Sequence, residues 1–254
     1  MNEPVQFSIH HFMKTSFLHF FANFAALRFN FFSTMWEGRR RSRFLAGIGV
    51  LAFYSTATAS TTWNGPTWNV STLIPDNDDV GITDIRTISV PEITEIESVT
   101  VTINLSGGWN GDLYAYLMHD SGFAVLLNRP GRSLSALDGS ATVGMQVTFD
   151  DSAASDIHTA IPMNGGSVTG TYQPDGRETD PHNTLNTDAR TAMLADFIGI
   201  NANGTWKLYV ADQSPGYEST LQSWSMTIVG VPEPSSALLL LLSATASVLR
   251  RRRV

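Results

Sequence analysis

The chain has 254 residues, 43% of them hydrophobic and only 15% charged, with no cysteine and a net charge of −7. Without cysteine, disulfides and thiol nucleophiles are excluded, and an acidic body excludes nucleic acid, whose phosphates demand a basic face. Between Ser60 and Gly230 only Arg86, Arg129, Arg132, Arg177, Arg190 and Lys207 face 20 Asp and Glu; the other basic residues lie toward the two ends.

Residues 1–34 hold nine of the fourteen phenylalanines, with neither a helical nor a β period. The expectation for this stretch is an upstream start codon, with translation beginning at Met35; a second membrane-active segment is the alternative. Residues 35–59 have the three parts of a secretory signal. Arg39, Arg40, Arg41 and Arg43 precede an apolar run from Phe44 to Tyr54, and Ala57-Thr58-Ala59 supplies the small-x-small cleavage pattern. Cleavage after Ala59 makes Ser60 the first mature residue, and an apolar run this short falls below the ~20 residues that span a bilayer.

Residues 60–83 are read as a lead-in, and residues 84–229 as an all-β domain. The apolar period there is two. Val99, Val101, Ile103 and Leu105 alternate with polar residues, as do Met145, Val147 and Phe149, then Trp206, Leu208 and Val210, then Trp224, Met226 and Ile228. Leu113 to Met118 is apolar on both faces, as a central strand would be. Asn-Gly or Asp-Gly pairs begin at Asn64, Asn110, Asp138, Asn164, Asp175 and Asn203 and predict tight turns. Only Asp188 to Phe197 hints at a helical turn. Many short strands with frequent turns predict a jelly-roll-like β-sandwich.

Residues 230–254 read as a tail. Pro232-Glu233-Pro234 is followed by an apolar stretch from Ala237 to Leu249 and then by Arg250, Arg251, Arg252 and Arg253. The prolines end a strand, and the arginines hold their end on the cytoplasmic side of a membrane. In this order the three parts resemble the sorting signal of PEP-CTERM proteins. That resemblance implies an apolar helix in the membrane, an exosortase-type processing enzyme and the secretion machinery as partners, and delivery to the cell envelope, surface or matrix. Pro232, Glu233 and Pro234 would then be the recognition element.

A second resemblance runs through the body. Ile74-Pro75-Asp76-Asn77-Asp78, Gly111-Asp112-Leu113-Tyr114-Ala115-Tyr116-Leu117, Phe149-Asp150-Asp151-Ser152-Ala153, Asn203-Gly204-Thr205-Trp206-Lys207-Leu208 and Ser223-Trp224-Ser225-Met226 occur in order. Together they resemble the P domain of proprotein convertases, a jelly-roll module that accompanies subtilisin-like proteases. Glu218-Ser219-Thr220 departs from the glycine usual there. Nothing matches a protease nucleophile block.

The residues carry no catalytic signature. The G-x-S-x-G elbow, H-E-x-x-H, the P-loop and the dinucleotide glycines are absent. His119, His158 and His182 lack metal-ligand spacing. Asp112 with Asp150 or Asp151 is the candidate pair for a bracing Ca²⁺, since loop carboxylates are hard oxygen ligands. Trp63, Trp68, Trp109, Tyr114 and Tyr116 could stack sugars if exposed together, and Trp109, held in a glycine-rich loop, is the best candidate among them. The function expected is a non-enzymatic surface or matrix protein; the alternative is a polysaccharide-binding accessory module or a loop-based hydrolase.

Overall fold

The computed structural model describes residues 60–232. The expectations placed on the Phe-rich extension, on Ala57 and Ala59, and on the tail from Glu233 to Arg253 lie outside those residues. Among the described residues, no helix is long and apolar enough to cross a membrane.

Two sheets make the body. In the first, β1 (Thr61–Asn64) and β2 (Trp68–Ile74) both pair with β11 (Ser219–Val231). On its other side β11 pairs with β4 (Glu95–Trp109), and β4 with β7 (Ala141–Phe149). The short strands β8 (Asn164–Gly165) and β9 (Val168–Tyr172) finish this seven-stranded sheet by pairing parallel to β7. The second sheet runs β3 (Asp78–Ile88), β10 (Gly204–Asp212), β5 (Leu113–His119), β6 (Gly122–Asn128), antiparallel throughout.

Period-two patterning aligns the inward residues into rows that cross strands. Met226, Val101 and Phe149 stand opposite one another on β11, β4 and β7, as do Trp224, Ile103 and Val147, and then Leu221, Leu105 and Met145. Leu208 and Leu117 form such a pair in the second sheet. All of these side chains are buried; each contributes about 1.5–3 kcal/mol by leaving water. The two sheets of the jelly-roll-like expectation are thus present.

The domain begins earlier than the sequence implies. The lead-in expected over 60–83 holds β1, β2 and the first half of β3, and Trp68 packs on Trp224 with ring centroids 4.5 Å apart. Alternation in Trp68–Ile74 is weak because the strand lies at the sheet margin and exposes Ser71, Thr72 and Leu73. At the far end β11 runs to Val231, where Pro232, lacking an N–H, ends the ladder.

The Asn-Gly and Asp-Gly pairs close no two-residue hairpin. The tight link is Asp120-Ser121 between β5 and β6, with Asp120 at φ 50°, a conformation aspartate tolerates. Gly107 and Gly108, at φ 74° and 50°, bend the end of β4. A Cβ on Gly108 would lie 1.9 Å from the Ser219 hydroxyl, so only glycine fits. This bend leads into the 3-10 turn Asn110–Asp112 just before β5.

Candidate functional site

Alternation along β5 and β10 turns Leu113, Ala115, Leu117, Trp206, Leu208 and Val210 inward, and leaves Tyr114, Tyr116 and Tyr209 on the outer face of the second sheet. Tyr116 stands opposite Tyr209 in the strand register, and their rings stack at 4.5 Å and 16°. Tyr114 meets both rings edge-on at 5.8 and 6.2 Å, and Phe123 of β6 lies 5.2 Å from Tyr116. Burial, with the neighbouring phenols Tyr116 and Tyr209, pushes Tyr114 up to about 12. Burial also raises Tyr116 and Tyr209. The three hydroxyls therefore stay protonated and can donate or accept.

At the Tyr114 end this face opens into a pocket of about 220 Å³, lined by Tyr114, Tyr209, Asp79, Asp180, His182 and Gln213, with Pro181. The Tyr209 hydroxyl donates to the Asp79 carbonyl. The backbone N–H of His182 donates to Asp180 Oδ1 at 2.8 Å, and its ring Nε2 lies 3.5 Å from Asp79 Oδ1. Gln213 is only 5% exposed. Its backbone N–H donates to the Asp112 carbonyl at 2.7 Å, and the residue, whose side chain makes no hydrogen bond among the described residues, lines the pocket.

The segment bearing Asp180 and His182 has no regular strand and is fixed from below by buried polar groups. Its backbone joins β6 where the Asp175 and Gly176 N–H groups donate to Leu126 and Val125. His158, fully buried, sets Nδ1 2.7 Å from Asp175 Oδ2 and Nε2 2.8 Å from the Arg132 carbonyl. Both nitrogens face acceptors, so a doubly protonated ring satisfies them. Burial lowers the His158 pKa, but the hydrogen bond and charge of Asp175 outweigh it and the net shift is upward. Arg177 pairs with Asp175 at 3.1 Å and Asp156 at 2.9 Å, and Arg132 donates to the carbonyls of His182 at 2.6 Å and Thr184 at 3.1 Å.

The expected calcium pair is not brought together. Gly111, beside Asp112, donates to Ser140 at the start of β7, whereas Asp150 and Asp151 follow its last residue, Phe149. Nine strand residues at ~3.3 Å each separate them, too far for one ion. Asp151 instead accepts the N–H groups of Leu194 and Ala195, and Asp150 accepts the N–H and the hydroxyl of Ser152. Among the described residues, no group of three or more histidines or carboxylates is arranged to hold a metal.

Asp112 instead joins a buried cluster. Arg129 lies 3.6 Å from it, donates to the Ser214 hydroxyl at 2.7 Å, and holds an unusual φ of 50°. Burial raises Asp112 to about 6 against the opposing pull of Arg129, and burial raises Asp212 to about 6 as well. Asp212 Oδ2 has no partner.

Trp109 is no free stacking surface. Tyr217 covers it at 4.9 Å and 25°, and is itself 56% exposed. Trp63 and Trp68 stack toward Trp224 at the core margin. Only Tyr114 and Tyr116 of the expected aromatic set reach the outer face, and there their ring faces are turned largely on each other and on Tyr209. Ser60 is exposed and its hydroxyl donates to Glu97 at 2.6 Å.

His119 lines a second pocket, of about 360 Å³, with Asn203, Lys207 and others. Its ring lies flat on Trp206 at 4.1 Å, and its nitrogens face the carbonyls of Thr205 and Asn201 at 3.1 and 2.7 Å. Neither it nor His158 has a nitrogen free to activate a hydroxyl.

Sequence reasoning missed Tyr209, Asp180 and Gln213. The signal for Tyr209 was present, because it alternates with the inward Trp206, Leu208 and Val210. Asp180 and Gln213 come from irregular segments and had no periodic signal.

Among curated proteins none matches the chain. Two crystal structures of the serine protease of Aeromonas sobria, one in complex with its chaperone, share 18% identity with it. The chain spans 27% of the protease in each, with 68% of its own length covered and TM-scores of 0.39 and 0.37. Residues 140–228, which run from the start of β7 into β11, match the family model of the proprotein convertase P-domain.

Proposed function

We propose that this chain is an exported, non-catalytic module, held at or released from the cell envelope through its C-terminal tail, and that its sandwich binds polysaccharide there. The observation that carries the binding role is the outer face of the second sheet, where Tyr114, Tyr116, Tyr209 and Phe123 run across three strands into the pocket lined by Gln213. Phenol hydroxyls, carboxylates and an amide beside apolar ring edges suit a chain of hydroxylated rings with apolar faces. The engaged nitrogens of His119 and His158 favour binding over hydrolysis. Export rests on the arginine, apolar and Ala57-Thr58-Ala59 series, and sorting on Pro232, Glu233 and Pro234 with the four terminal arginines.

Co-sedimentation with the insoluble polysaccharide of the producing cell tests the binding role. The wild-type protein is expected in the pellet, and the double variant Tyr116→Ala, Tyr209→Ala in the supernatant with an unchanged circular-dichroism spectrum. Equal pelleting of the two would refute it. Joint replacement of Pro232, Glu233 and Pro234 by alanine is expected to abolish surface delivery, which cell fractionation reads.

A further inference from the structure

The pocket at the end of the tyrosine face is more specific than the face itself. Its walls are the phenols of Tyr114 and Tyr209, and its rim carries the carboxylates of Asp79 and Asp180. Glu178 adds negative potential at Tyr114, and Asp78 and Asp79 do so at Tyr209. No arginine of the body is available to neutralise it. Arg86 is paired with Asp84, Arg177 with Asp175 and Asp156, and Arg129, Arg132 and Arg190 bond to carbonyls and side chains of the scaffold. Among the described residues the one basic group at the rim is the His182 ring, which leans on Asp79.

Carboxylates beside aromatic rings attract an organic cation. Gln213, 5% exposed, lines the pocket and makes no side-chain hydrogen bond among the described residues; its amide offers a donor and an acceptor that a hydroxyl can match. A volume of about 220 Å³ is smaller than pockets that enclose a whole drug-sized ligand, roughly 300–1,000 Å³, and suits one ring-sized unit. We infer that this pocket receives a protonated amino-sugar unit of a polysaccharide, its ammonium against Asp79 and Asp180 and a ring hydroxyl on Gln213. The inference rests on the polysaccharide-binding role proposed above. A lysine side chain could bring the charge but has no hydroxyl for the amide, so the sugar satisfies more of the pocket.

Isothermal titration of the full-length protein in detergent, with glucosamine hexamer, N-acetylglucosamine hexamer and hexalysine, tests this. The glucosamine oligomer is expected to bind at least ten times more tightly than either of the others. Asp79→Asn with Asp180→Asn is expected to cut that affinity at least tenfold; both side chains are exposed and the fold should survive. Glu92→Gln with Glu218→Gln, remote exposed carboxylates, is expected to change it less than twofold. Equal loss in the two double variants would show mere charge attraction and overturn the inference. So would hexalysine binding as tightly, which would point to a peptide partner. Tight binding of the acetylated oligomer that is lost in Tyr116→Ala but kept in the aspartate variant would overturn the amino-sugar site and leave the polysaccharide role standing. No binding by any oligomer would remove both.

Discussion

Single buried charges decide where this molecule is rigid and where it is strained. Asp212 Oδ2 is buried without a partner, and a carboxylate in that position costs free energy whenever it is ionised. Asp212→Asn keeps the oxygen that accepts from Ser214 and removes the charge. It is expected to stabilise the protein by about 1–3 kcal/mol at pH 7.5 and by progressively less as pH falls from 6 toward 4, as denaturant melts would show. The opposite holds for His158, whose loss strands Asp175 beside a single arginine. His158→Leu is expected to cost about 3–5 kcal/mol and to loosen the segment that carries Asp180, which hydrogen exchange would register at residues 176–190.

At the scale of strands, five of the eleven were legible, β4, β5, β7, β10 and β11. The alternations starting at Val99, Met145, Trp206 and Trp224 each lie in an observed strand with the apolar residues inward. Asp188–Phe197 does end in a 3-10 turn, Leu194–Phe197. Two of the elements that escaped did so for clear physical reasons. β2 is a margin strand that buries only one side chain fully, Ile74. The inward face of β3 carries Asp84 and Arg86, which pair at 2.7 Å and reach the Trp224 indole N–H and the Trp68 ring. An inward ion pair at an edge strand breaks the apolar period while discouraging further strand pairing. Since Trp68 ties β2 to both sheets, Trp68→Ala is expected to cost about 2–4 kcal/mol and to expose β2 first to protease, with cleavage mapped near residues 65–75. The candidate site was only half legible: β5 announced Tyr114 and Tyr116, whereas Asp180 and Gln213 reach the same place through loops whose course no local pattern encodes. Asp112 and the Asp150-Asp151 pair are not brought together, because they lie toward opposite ends of β7.

For the molecule as a whole, buried groups fix the sign of its response to pH. Asp112 and Asp212 titrate near 6 when folded against 3.8 as the ordinary value. Above pH 6 the folded state must hold these anions away from water. Stability is therefore gained as pH falls through 6 toward 4. The raised pKa of His158 acts in the same direction, its contribution being complete below about 6.5 and lost as pH rises through the folded value. Calorimetry is expected to give a Tm higher at pH 5.5 than at pH 8, by on the order of 5 °C; a flat profile would contradict the burial of these groups. With its arginines engaged inside, the body also presents an acidic surface, which fits a cationic or neutral polymer better than an anionic one.

The central claim is that the outer tyrosine face is the working surface, and hydrogen exchange of the full-length protein with and without the producing cell's polysaccharide tests it most directly. The account expects new protection confined to β5, β10 and the segment around Asp180. Protection centred on Trp109 and Tyr217, or no change anywhere, would contradict it.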